Sequence, residues 1–106
     1  MAGLDDMRDG GGPSVWDMIV FQKAYQAALD VHRAAMGFPK HERYELASQI
    51  RRSSKGICAN LAEGRGRQQG SKAEFRRFAL MALGSTDETL LWCRFARDLD
   101  YLDEEE

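Results

Sequence analysis

Cysteine, histidine and long apolar runs are what this sequence has least of. Two cysteines (Cys58, Cys93) and two histidines (His32, His41) are scattered over 106 residues. No pair has the spacing of a zinc site or of a nucleophile and its base, so neither a metal, a cofactor nor a catalytic constellation is expected. Each cysteine falls inside an expected helix and reads as a reduced, buried thiol of a cytoplasmic protein. No apolar run approaches the roughly 20 residues of a membrane span. Met1 to Gly12 is acidic and glycine-rich rather than basic then apolar, so it does not resemble a signal peptide. Proline occurs twice, at Pro13 and Pro39, each time close behind glycine where a boundary belongs. Alternating strand patterns, heptad arrays and internal repeats are missing too. These absences leave an all-α binding protein as the class to develop.

Residues 1–13 read as a flexible leader, 14–102 as one helical bundle domain and 103–106 as an acidic tail. Ser14 with Asp17 forms a weak capping box, and a first helix is expected from about Val15 to Met36. Met18, Phe21, Tyr25, Leu29, His32 and Met36 recur at helical spacing along it. His32 on that stripe reads as a satisfied core imidazole, and His41 as an exposed turn residue. Gly37-Phe38-Pro39 stops the helix. A second helix is expected from His41 or Glu42 to Glu63, closed by Gly64 as its C′ residue. Leu46, Ile50, Ser53, Ile57 and Leu61 lie within about 80° on it, and mid-helix Gly56 suggests a close helix approach. Gly64 to Gly70 reads as a loop, mobile or ligand-held, and its spacing fails the phosphate-loop pattern. Ser71 to Glu74 is a capping box that starts a third helix at Lys72, running to about Leu99.

That third helix is apolar on several sides. Phe75, Phe78, Ala79, Ala82, Thr86, Thr89 and Cys93 form one stripe. Leu80, Met81, Leu91, Trp92 and Phe95 lie elsewhere and are expected to form an oligomer interface. Trp16, Tyr25 and Tyr44 also read as core or interface anchors. Gln49, Ser53, Asn60 and Glu63 border the seam of the second helix, where they would fix register or line a pocket. Glu63 and Glu74 could meet across the loop, though Glu74 is more simply a capping residue.

Charge is segregated. From Arg43 to Arg77 nine Lys/Arg face three acids, whereas Asp98 to Glu106 holds six acids and no base. Arg51, Arg52, Lys55, Arg65, Arg67, Lys72, Arg76 and Arg77 are the candidate nucleic-acid contacts, because cation–phosphate attraction dominates such binding. The same run also fits a solvated face. The loop has no interleaved aromatics for stacking bases.

Several segments resemble the four-helix-bundle family of ribosomal RNA intervening-sequence proteins. They are Phe21 to Ala24, Phe38-Pro39-Lys40, Glu42-Arg43-Tyr44, Ser48 to Ser53, Asn60 to Gly64, Glu74-Phe75, Arg77-Phe78, Ala82 to Ser85, Leu99 and Tyr101-Leu102. A related branch comprises the accessory variability determinants of diversity-generating retroelements. The resemblance implies an antiparallel bundle that assembles into a ring, typically pentameric, with no enzyme activity. For the retroelement branch it implies a basic surface that contacts RNA or DNA and a reverse transcriptase. Family members continue into a fourth helix where this sequence has Asp103 to Glu106, so three long helices are expected, with either the last family helix missing or its groove covered by something else, which strengthens the case for an oligomer.

Overall fold

A computed structural model describes residues 14–68 and 70–102, so the leader and the acidic tail lie outside the described residues. Its three long helices are α1 (Ile19–Met36), α2 (Leu46–Arg67) and α3 (Lys72–Asp98). Short 3-10 turns, Val15–Asp17 and Lys40–Glu42, precede α1 and α2. The described residues include no strand, and none of their helices is long and apolar enough to cross a membrane.

The Ser14 cap is present, but it serves the 3-10 turn rather than α1. The Trp16 amide donates to Ser14 Oγ at 3.1 Å, and the Ser14 amide donates to Asp17 Oδ2 at 2.9 Å. Met18 is then extended (φ −82°, ψ 124°), so α1 starts at Ile19, four residues later than expected. Its buried face is Phe21, Ala28 and Ala35, with Ala24 and Val31 packed beside them. That face is turned by roughly 80° from the expected stripe of larger side chains. Tyr25 and Met36 consequently stand at the surface, 42% and 66% exposed. The reason is spacing: alanines let α1 approach α2 closely, and the bulkier residues occupy its margins.

Between α1 and α2 the chain is held by Glu42. Its carboxylate is buried, with Oε1 accepting from the Leu46 amide at 3.3 Å and Oε2 from the Tyr101 hydroxyl at 2.8 Å. The acid thus caps the positive end of α2 and ties the segment after α3 to the same corner. His41 Nε2 lies 3.3 Å from the Tyr101 oxygen, and Tyr101 packs on Phe38. This capping turn delays α2 to Leu46, where the sequence pattern alone suggested His41 or Glu42.

At its far end α2 runs straight through the expected stop at Gly64. Gly64 is buried, and a Cβ built on it would sit 2.9 Å from Phe78 Cβ. Its glycine serves close approach to α3, not chain reversal, and the helix continues to Arg67 with Gln68 as C-cap. The connection to α3 shrinks accordingly to about Gln68–Ser71, and Gly64 to Arg67 is helix rather than loop. Gly56 likewise faces α3, with its built Cβ 3.2 Å from Ser85 Oγ. Ser53 meets Thr89 across the same seam at 2.8 Å between hydroxyls. The pairs 53 with 89, 56 with 85 and 64 with 78 step in opposite directions, which defines an antiparallel α2/α3 packing with small residues along its spine.

Ser71 caps α3 by accepting from the Glu74 amide at 3.1 Å. Only this half of the expected capping box forms, because the Glu74 carboxylate turns to Arg77 instead. Asp100 ends α3 in the left-handed region (φ 63°), with Tyr101 N donating to Ala96 O at 2.8 Å and Asp100 N to Arg97 O at 3.0 Å. That pair of reversed bonds is a Schellman closure.

Helix α2 is central: it packs against α1 on one side and α3 on the other, while no Cα of α1 lies within 8 Å of α3. Two apolar clusters fill the contacts. Ala35, Phe38, Leu46, Ala47, Ile50 and Ala96 form the one beneath Tyr101 and Leu102. Val15, Phe21, Leu61 and Ala82 form the other, with Ile57 partly buried against them. The expected core residues of α2 are therefore in place. Between α1 and α3 opens a groove of about 510 Å³ floored by Ile50 and edged by Asp30, Val31, Arg33 and Cys93. Helices α1 and α3 thus flank α2 with this groove between them.

Candidate nucleic-acid interface

The eight candidate cations do not form one surface. Arg67 and Arg77 are drawn to the α2/α3 connection and tied up there. Arg67 Nε donates to Glu63 Oε1 at 2.8 Å, and its Nη1 lies 3.8 Å from Glu74 Oε1. Arg77 Nε donates to Glu74 Oε2 at 2.8 Å. Both guanidiniums also sit over the Phe78 ring, 5.3 and 4.6 Å from its centroid. The Arg77 hydrogen bond, reinforced by Arg77 and Arg67 charge, holds the Glu74 carboxyl below its ordinary range. Glu63 and Glu74 are thus bridged by Arg67 rather than paired as a proton-sharing couple.

A second group lies along α2 toward α1. Arg51 and Lys55 stand one turn apart, and the Lys55 ammonium donates to His32 Nδ1 at 2.9 Å. An ammonium has no lone pair, so this bond fixes His32 as the neutral tautomer with its proton on Nε2. Lys55 first, then burial, Arg51 and Arg33, lower the His32 pKa. His32 is only partly buried. It is therefore no core imidazole but the α1 wall of a cationic cleft.

Arg51 also lines a groove of about 520 Å³ between α1 and α2, together with Lys40, Arg43 and Tyr44 above Ala35, Phe38 and Ala47. No acid lines it. Lys40, Arg43 and Tyr44 were not among the expected contacts. Their signal was present in the turn, whose cations and aromatic are neighbours in sequence, but its contribution to a groove depends on the α1/α2 crossing. Arg52 points away from that groove, one residue, or about 100°, round the helix from Arg51. Lys72 and Arg76 are exposed on α3. Arg51, Arg52, Lys72 and Arg76 make no ion pair among the described residues. Arg65 is half-buried on the Arg51 side of α2.

The polar seam residues divide in the same way. Ser53 bonds across to Thr89, whereas Asn60 turns back to Gly56 O at 2.9 Å and Glu63 serves Arg67. Gln49 borders a shallower groove with Glu42, Glu45, Trp92, Phe95 and Leu99. Cys58 and Cys93 are free and half-buried, and burial raises both thiols. No group of three His, Cys, Asp or Glu among the described residues could hold a metal ion.

The outer face of α3 carries the other candidate set. Leu80, Met81, Leu91 and Phe95 are between 46% and 57% exposed, with Leu99 alongside and Trp92 half-buried. Trp92 packs its ring 5.9 Å from that of Phe95 and donates from Nε1 to Glu88 at 3.3 Å. These side chains span about 120° of the helix, flanking the face that meets α2, and Trp92, Phe95 and Leu99 share a groove with Leu46 and Gln49 of that helix. Gly84 lies in their midst with nothing within 4 Å of its built Cβ.

No curated protein matches the chain. The family model for the 23S rRNA-intervening sequence protein matches residues 16–106, and with that match over the whole helical region the chain belongs to this family.

Proposed function

We propose that this protein is a non-enzymatic, cytoplasmic nucleic-acid-binding protein that self-assembles and presents its unpaired cations to RNA or DNA. The observation that carries the reading is the charge pattern: Arg51, Arg52, Lys72 and Arg76 are not neutralised by any carboxylate among the described residues. Unpaired guanidiniums at a surface are what phosphate contact requires. The family's name, with its 23S rRNA intervening sequence, is compatible with nucleic-acid association. In this reading the protein is an accessory to a nucleic-acid enzyme, and a reverse transcriptase, as in the retroelement branch related to the family its motifs resemble, is the first to test.

Self-assembly rests on the outer face of α3, whose exposed leucines and Phe95 exceed what scattered surface apolars explain. A ring, pentameric as in the family the motifs resemble, is the assembly proposed. Mobility-shift titration of the purified protein against RNA and DNA over a range of salt tests the binding. A retarded complex that R51Q/R52Q/K55Q loses while keeping its helices and native mass supports it, and no complex at low salt defeats it.

The same apolar face favours one second reading, an adaptor oligomer that binds a protein and no nucleic acid. Light scattering addresses the premise common to both. L91Q/F95Q reducing the assembly to single chains supports self-association through α3, and a wild-type monomer removes it.

A further inference from the structure

The groove between α1 and α2 differs from the other cationic surfaces in two respects. Lys40, Arg43 and Arg51 line it without any acid, and Tyr44 stands at its edge 84% exposed. Tyr44 is held on the short turn between the 3-10 segment and α2, where it fills no core. A fully presented aromatic beside three cations offers a ring face for a base and charges for the flanking phosphates. Lys55, one turn of about 5.4 Å beyond Arg51 on α2, extends the cationic track. On the other side of Tyr44, which also borders the groove near Phe95, Glu42 has both oxygens occupied by the Leu46 amide and the Tyr101 hydroxyl, and Glu45 faces that second groove.

We propose that this groove binds a single-stranded nucleic acid, its phosphates on Lys40, Arg43, Arg51 and Lys55 and one base stacked on Tyr44. The proposal rests on the nucleic-acid reading above and specifies which strand form and which surface. A duplex keeps its bases stacked on one another and has no use for Tyr44, whereas an unpaired base does. Helix α1 supplies a local reporter. His32 faces Lys55 and Arg51 from α2 and Arg33 from its own helix, so a phosphate entering among them offsets cations that now oppose its protonation.

Fluorescence anisotropy with a labelled single-stranded RNA of about a dozen nucleotides, free or annealed to its complement, provides the test. The wild-type protein binds the single strand more tightly than the duplex. Tyr44→Ala weakens the single strand about tenfold and Tyr44→Phe leaves it within about twofold. Arg51→Gln with Lys55→Gln lowers the slope of log affinity against log salt by about 1.4. In the wild-type protein, the NMR titration of His32 moves to higher pH when the strand is added. Binding that Y44A and R51Q/K55Q leave within about twofold, but that K72Q/R76Q abolishes, puts the site on α3. That result overturns this proposal while the function stands. Equal affinity for the duplex, or an unmoved His32, also overturns it. No binding of either nucleic acid by the wild-type protein overturns both.

Discussion

Among single residues, two helical glycines have different consequences. Gly64 is pressed against the Cβ of Phe78, an atom that cannot swing aside, so Gly64→Ala forces α2 and α3 apart. We expect a loss of about 1–3 kcal/mol in chemical denaturation, despite alanine's better helix propensity. Gly56 is approached closely by the rotatable Ser85 hydroxyl, with the Ser85 Cβ at an ordinary 3.7 Å, so Gly56→Ala should be neutral or gain up to about 1 kcal/mol. Equal effects of the two substitutions would refute the close α2/α3 approach at Gly64. Asp100 is a different case: it holds φ 63° and puts an acid at the negative end of α3. Asp100→Gly relieves both and should raise the denaturation midpoint by a shift worth about 1 kcal/mol.

Charge at the single-residue scale centres on His32. Its pKa is lowered, chiefly by Lys55, so it is neutral at pH 7 and accepts the lysine's proton in the hydrogen bond. A histidine depressed in the folded state stabilises the fold only above its unfolded pKa of about 6.5. That contribution fades as pH falls below this value, because the unfolded chain takes the proton first. An NMR titration should place the His32 midpoint below that of an unstructured peptide, and Lys55→Met should move it upward. A midpoint that Lys55→Met leaves in place would mean that the 2.9 Å contact does not govern His32.

Elements are held by their ends as much as by their faces, and there the sequence was unevenly legible. The existence, order and antiparallel course of the helices follow from periodicity, the Gly37-Pro39 stop and the Ser71 cap, all visible in one dimension. The core of α2 was also readable, since Leu46, Ile50, Ile57 and Leu61 share one face. The end of α2 was not: a glycine looks the same whether it reverses a chain or admits a neighbouring helix, and only the position of Phe78 separates the two. The buried stripe of α1 was missed because apolar size pointed to Tyr25 and Met36, while close packing chose Ala28 and Ala35. The capping role of Glu42 is not legible in the sequence, because it depends on Tyr101, 59 residues away, as well as on Leu46. Removing the Tyr101 hydroxyl tests that corner. Tyr101→Phe leaves one oxygen of a buried carboxylate without its donor and should cost about 1–3 kcal/mol in thermal or denaturant unfolding. A change of less than about 0.5 kcal/mol would show that the C-terminal segment is not latched there.

At the scale of the whole molecule, α2 is shared: α3 takes one flank through small residues, and α1 takes the other through alanines. What remains outside that packing is two surfaces of opposite character. The apolar outer face of α3 suits another protein chain, and the cations flanking α1 and α2 suit phosphate. Both assignments extend the candidate residues beyond charge counting, since Arg67 and Arg77 are occupied by Glu63 and Glu74 while Lys40 and Arg43 join Arg51. The central claim is electrostatic capture of nucleic acid by these unpaired cations, and salt dependence measures it most directly. The affinity of the wild-type protein for RNA, titrated across salt, should fall on a straight line of log affinity against log salt, with a slope of about −0.7 per phosphate contacted on a single strand. R51Q/R52Q/K55Q should flatten that line by the contacts it removes. An affinity that does not change with salt, or no binding at the lowest salt, would contradict the account.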